Sequence, residues 1–77
     1  MSICFVLIDT EPGRERAVYA SLQKVAAVSE IHHLLGEYDL IAKVEATDLD
    51  AVGEIILNKI RAVPGVVDTM TLATALL

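Results

Sequence analysis

Apolar positions along the chain fall into segments with two periods. Ser2–Asp9 is a run of β-formers closed by the turn signal Asp9-Thr10-Glu11-Pro12-Gly13, and reads as a strand. From about Pro12 to Val25, Val18, Leu22 and Val25 recur at helical spacing, with Arg14, Arg16, Gln23 and Lys24 as polar positions. Pro12 suits a first helical turn. Val28–Leu35 reads as a second strand and Gly36-Glu37-Tyr38-Asp39 as a turn. In a third strand, from about Asp39 to Glu45, Leu40, Ala42 and Val44 alternate with Ile41, Lys43 and Glu45. Thr47 is the expected N-cap of a second helix, with Asp48 and Asp50 in its first turn. Leu49, Val52, Ile56, Ile60 and Val63 form the expected buried stripe of that helix, and Pro64-Gly65 ends it. A last strand is expected from about Val66 to Leu76.

The order is β-α-β-β-α-β. Leu22–Glu30 aligns weakly with Ile60–Asp68, sharing Val25/Val63 and Val28/Val66, so helix end, turn and strand start coincide in two halves. This predicts an α+β, ferredoxin-like fold: a four-stranded antiparallel sheet with two helices on one face. The other face would be open, and open faces are normally polar. Ile3 to Ile8 is apolar on both faces; Leu34, Leu35, Met70, Leu72, Ala73 and Ala75 add to the excess. A contiguous apolar sheet face exceeds what monomers usually expose, so sheet-to-sheet homodimerisation is expected.

Size and composition sharpen that picture. A 77-residue chain is one domain, and a domain this small buries only roughly 60% of its unfolded-chain surface. Hydrophobic residues make up 55% of it, more than a single small core accommodates. Cys4 is the one cysteine, which excludes an internal disulfide, so self-association is the natural support. The net charge of −5 and the scarcity of aromatics argue against direct nucleic-acid binding. No apolar run reaches the ~20 residues of a membrane span. With a free thiol and no export signal, a cytoplasmic location is expected.

Few residues suggest chemistry. His32 and His33 are adjacent on a strand, point to opposite faces and so cannot chelate one ion. Cys4, within an apolar strand, reads as a buried inert thiol. There is no nucleophile elbow and no Gly-rich phosphate loop. Gly36-Glu37-Tyr38-Asp39 sets an aromatic ring and a carboxylate at a strand end beside a conformationally permissive glycine; the same residues also suit a plain hairpin turn. Thr69 and Thr71 share one sheet face and read either as β-formers or as hydroxyls for a small polar ligand.

Nearly the whole chain resembles the effector-binding (RAM) domain of the Lrp/AsnC, or feast/famine, transcription regulators. The resemblance runs through Phe5-Val6-Leu7-Ile8, Glu11-Pro12-Gly13, Gly36-Glu37-Tyr38-Asp39-Leu40, Lys43-Val44, Ile60-Arg61-Ala62-Val63-Pro64-Gly65-Val66 and Thr69-Met70-Thr71-Leu72. Its joint spacing is its strongest part. The resemblance implies the same fold, dimers paired through their sheets, and assembly to higher forms such as octamers. It also implies an amino acid or similar metabolite bound between dimers. Gly36 and Asp39 would line that site with Tyr38 beside them, and Thr69 and Thr71 would contact the ligand. No cofactor or metal is implied. The chain begins at its first strand and so resembles a stand-alone form without the helix-turn-helix domain, one that would act by ligand sensing and by mixing with full-length relatives. Residues 1–77 are therefore expected to form a ligand-binding and oligomerisation domain that is not an enzyme and has no direct nucleic-acid or membrane partner. The alternative is a cofactor-independent enzyme of the dimeric α/β-barrel type, using His33 or Asp39 as acid or base. ACT-like ligand-binding domains share the topology. An acylphosphatase would need an arginine loop after strand one, and an RRM would need sheet-face aromatics.

Overall fold

The computed structural model describes residues 1–74. It contains β1 (Ser2–Thr10), α1 (Glu15–Gln23), β2 (Val28–His33), β3 (Leu40–Ala46), α2 (Leu49–Ile55) and β4 (Val66–Ala73). The last two residues of the expected final strand, Ala75 and Leu76, lie outside the described residues. All strand pairs are antiparallel, in the order β2-β3-β1-β4. This is the expected β-α-β-β-α-β arrangement.

Alternation along the two central strands builds the core. Cys4, Val6 and Ile8 of β1 and Leu40, Ala42 and Val44 of β3 are buried, and they pack with Val18 and Leu22 of α1 and with Val52, Ile56 and Ile60. The intervening residues of β1, Ile3, Phe5 and Leu7, point to the opposite face and are only partly covered. There Leu7 lies between Ile41 and Met70, and Phe5 lies between Lys43 and Leu72. Met70 and Leu72 are 47% and 48% exposed. The uncovered sheet face is therefore an apolar patch at its centre.

Local chemistry shifts several element ends from the expected positions. The first helix starts at Glu15 rather than Pro12, because Glu11–Arg14 closes a β-turn by an Arg14 N–H to Glu11 carbonyl bond of 3.0 Å. Pro12 and Gly13 (φ +83°) are its central residues, the pairing that a type II turn favours. The cap of α2 is Asp48, not Thr47: its carboxylate accepts from the Ala51 N–H at 2.8 Å. Leu34 and Leu35 leave the sheet, since β2 ends at His33. Leu49, expected in the buried stripe, is exposed on the flank of α2, and Val63 is half-buried.

The helix continues beyond α2 as a π-helical turn, Ile56–Ile60, closed by the Arg61 N–H on the Ile56 carbonyl at 2.8 Å. Four residues at α-helical pitch overshoot a full turn by about 40°. The wider turn removes that drift and keeps both Ile56 and Ile60 on the core.

Ile8 is fully buried between Leu40 and Thr69 on its neighbouring strands. Ile8→Ala is expected to lower the unfolding free energy by about 2–5 kcal/mol. Denaturant titration checks this; a loss under about 1 kcal/mol would contradict the packing described.

Candidate functional site

The Gly36–Asp39 segment forms the end of the β2–β3 connection. Gly36 has φ +150°, a conformation that side-chain-bearing residues rarely adopt, which accounts for glycine there. The loop is anchored at its return. The Leu34 N–H donates to the Asp39 carbonyl at 2.8 Å, and the Asp39 N–H donates to the Ile8 carbonyl at 3.0 Å. Tyr38 is half-buried beside it.

The Asp39 side chain is held by a residue that sequence reasoning did not single out. Thr10, buried at the end of β1, donates to Asp39 Oδ2 from its backbone N–H at 2.8 Å and from its hydroxyl at 2.9 Å. A β-bulge positions it: Asp9 pairs with Asp68 but Thr10 pairs with Val66, leaving Val67 unmatched. The one signal available was the turn sequence Asp9-Thr10, which carries no mark of a partner 29 residues away.

These bonds set the electrostatics of the corner. The Thr10 N–H, then its hydroxyl, hold the Asp39 carboxyl below the usual carboxylate range. Asp9 moves the other way: a hydrogen bond shared with Asp39 raises it most, followed by desolvation and the charges of Asp39 and Asp68. The result is an ionised Asp39 beside a carboxyl that ionises with more difficulty.

The two threonines stand elsewhere. Thr69 and Thr71 pair with Ile8 and Val6, so they share the helix-side face, on the edge strand β4. β1 lies between them and β3. Gly36, Tyr38 and Asp39 thus lie together on the β2–β3 connection, and Thr69 and Thr71 lie on β4, beside the strand whose Thr10 holds the Asp39 carboxylate.

The remaining candidates fall into the structure as follows. His33 stacks on Tyr19 of α1, with ring centroids 4.6 Å apart and planes at 11°. His32 lies on the other face, 3.4 Å from Glu30, which also pairs with Lys43 at 3.5 Å. Hydrogen bonds from His32 and then Lys43 pull the Glu30 carboxyl down. Among the described residues no group of His, Cys, Asp or Glu has the geometry to hold a metal ion. Cys4 is buried in the core. An open hollow of about 340 Å³ lies between Tyr19 and Gln23 of α1 and the outer edge of β2, away from Asp39. No helix among the described residues is long and apolar enough to cross a membrane.

The chain is thus an α+β, ferredoxin-like sheet with an open apolar face and an anchored Gly-x-x-Asp turn. Residues 3–74 match the Lrp/AsnC ligand binding domain, and the chain belongs to that family. Among curated proteins it is 36% identical over 73 residues to an uncharacterized HTH-type transcriptional regulator of Pyrococcus abyssi, covering 91% of this chain and 49% of that protein. It is 44% identical over 55 residues to a homocitrate synthase of Sulfurisphaera tokodaii, covering 71% of this chain and 12% of the enzyme. The chain spans about half the length of the regulators it matches. Among solved structures, FFRP-DM1 superposes with TM-score 0.93 at 37% identity, covering 97% of this chain and 100% of that one. A transcriptional regulator of Neisseria meningitidis in complex with L-Met shares the fold, with TM-score 0.86, 22% identity and coverage of 96% and 49%.

The two shifted carboxyls affect stability with opposite signs. The contribution of Asp39 is complete above its ordinary value near pH 4 and is lost as pH falls through its lower folded value. That of Asp9 is complete in acid and is lost as pH rises through its raised folded value. Asp9→Asn keeps a neutral side chain at every pH. It should therefore melt at or above the parent at pH 7, with the difference shrinking towards pH 4. Thermal melts across that range check this; a variant clearly less stable at pH 7 would contradict the assignment.

Proposed function

We propose that the chain is an oligomeric regulatory module that binds a free amino acid and has no catalytic activity of its own. The observation that carries this reading is the ionised Asp39 carboxylate, oriented by Thr10 at the end of a glycine-containing turn. An amino acid brings an ammonium and a carboxylate, and each must find a partner when desolvated. Thr10 occupies part of the accepting capacity of Asp39, and a carboxylate has about four lone-pair sites. Asp39 accepts from the ligand ammonium in a charge-assisted bond. Backbone N–H groups near Gly36 and the hydroxyls of Thr69 and Thr71 receive its carboxylate, and Tyr38 closes the side of the site. The site is completed by a further copy of the chain, as the resemblance to the family implies. The L-Met complex of the Neisseria meningitidis regulator supports an amino acid as the ligand class.

The copies pair through the apolar sheet face around Phe5, Leu7, Ile41, Met70 and Leu72, and the dimers build a higher form such as an octamer. The module works in the cytoplasm and assembles with copies of itself and with relatives of the same family.

Two measurements check the reading. A thermal-shift screen of the twenty amino acids should find at least one that stabilises the chain, since ligand at ~100 Kd adds about 2.7 kcal/mol. With the best hit, calorimetry on Asp39→Ala should show binding weakened ten-fold or more; equal affinity would place the site elsewhere. For the pairing, Leu7→Glu sets a charge in the middle of the apolar patch without entering the core. Light scattering should then show loss of sheet pairing, and an unchanged mass would contradict the interface.

A further inference from the structure

The bond from the Leu34 N–H to the Asp39 carbonyl closes a loop of four residues, Leu35, Gly36, Glu37 and Tyr38. Leu35 and Tyr38 are its first and last members and flank the closing pair. Leu34 and Tyr38 are half-buried, whereas Leu35 is 105% exposed and belongs to no part of the core. Met70 and Leu72, on the uncovered sheet face, are less than half as exposed. A lone exposed leucine is ordinary on a protein surface. The place of this one is not ordinary: it directly precedes Gly36 in the turn that carries the ionised Asp39. The space beside it is open, since a Cβ built on Gly36 meets no atom within 4 Å.

The chemistry of the loop is one-sided. Within 34–39, Leu34, Leu35 and Tyr38 are apolar or aromatic, Glu37 and Asp39 are acidic, and no residue is a cation. Asp9 and Asp68, paired across β1 and β4, add carboxyls level with Asp39. A free amino acid carries its side chain on the carbon that joins ammonium and carboxylate. With the ammonium at Asp39 and the carboxylate at backbone N–H groups near Gly36, that side chain leaves the site between the two, over Leu35 and Tyr38. An acidic side chain there would meet only like charge. A lysine-like one would bring a second ammonium against the leucine, and desolvating a charge on an apolar surface is costly. An aliphatic one removes apolar surface from water on both partners.

We propose that Leu35, with Tyr38 beside it, is the specificity-determining residue of the site: it covers the ligand side chain and selects an uncharged aliphatic one. The inference rests on the reading of the Asp39 turn as an amino-acid site and goes beyond it by naming the side-chain class. Asp39 and the backbone near Gly36 hold the groups that every amino acid shares. Leu35 meets the part that differs between them. Because Leu35 lies outside the core, replacing it alters selection without altering the fold.

The test is calorimetry with four probes, L-norleucine, L-alanine, L-lysine and L-glutamate, on the parent, Leu35→Ser, Leu35→Met and Asp39→Ala. L-Lysine is L-norleucine with an ammonium added at the end of its chain, and L-alanine keeps little beyond the shared groups. The parent should bind L-norleucine about ten-fold or more tightly than each of the other three. Leu35→Ser should bring L-norleucine down to the affinity of L-alanine and leave L-alanine unchanged, and Leu35→Met should keep the parent's preference. Both variants should melt with the parent. Asp39→Ala should weaken L-norleucine and L-alanine alike, which separates holding the ammonium from selecting the side chain. A parent that does not prefer L-norleucine, or a preference that survives Leu35→Ser, would overturn the inference while the amino-acid site stood. A Leu35→Ser that keeps the preference but loses mass by light scattering would do the same, and would give Leu35 to a contact between copies. A parent that binds neither L-norleucine nor any of the twenty amino acids would overturn the reading of the site itself, and the inference with it.

Discussion

Everything in this molecule follows from a sheet with too few helices to cover it. Two helices lie on one face of four strands. The central strand β1 alternates Cys4, Val6 and Ile8 inward with Ile3, Phe5 and Leu7 outward, and both sets are apolar. The inward set closes a core that holds eleven buried apolar residues among the described residues. The outward set has no covering element among the described residues. Burial stabilises by about 25 cal/mol per Å² of apolar surface, so a chain this short gains more from pairing that face than from leaving it wet. The strand pattern itself is thus what favours the self-association proposed above.

The same strand ties the candidate site to the core. Ile8 anchors β3 and receives the Asp39 N–H, and two residues on Thr10 holds the Asp39 carboxylate. The position of the carboxylate therefore depends on β1 and its bulge, and not on the loop that carries Asp39. A rigid element holding a group donated by a turn is a common basis for a binding site. It also explains how an exposed turn can keep one side chain ionised and oriented.

The sequence made the fold legible where the period was clean. The alternation of Leu40, Ala42 and Val44 with Ile41, Lys43 and Glu45 matched the buried and partly covered faces of β3 position by position. Element ends were less legible because they are decided by local competition. Asp48 outcompetes Thr47 for the cap by reaching the Ala51 N–H, and the Pro12-Gly13 turn delays α1. The π-helical turn leaves no mark in a one-dimensional pattern, since spacing of four fits an ordinary helix until its drift is counted. At the candidate site the turn residues were legible, and the pairing of Asp39 with Thr10 was not, because it depends on strand register. Register also decides that Thr69 and Thr71 face the helix side across β1 from Asp39, a separation that a shared spacing of two could not reveal.

The proposed site, drawn from more than one copy, would have a functional consequence. A ligand whose two ends are held by groups from different copies binds only to the assembled form. Binding and assembly are then linked: whatever the ligand contributes to the assembly, the assembly returns as affinity, by the same factor. A monomer of this size could offer only a carboxylate at a turn and hydroxyls on an edge strand, each open to water. Bringing two copies together excludes that water and strengthens every polar contact in the site. On the reading proposed above, the small size of the domain would thus favour both self-association and its linkage to a small molecule.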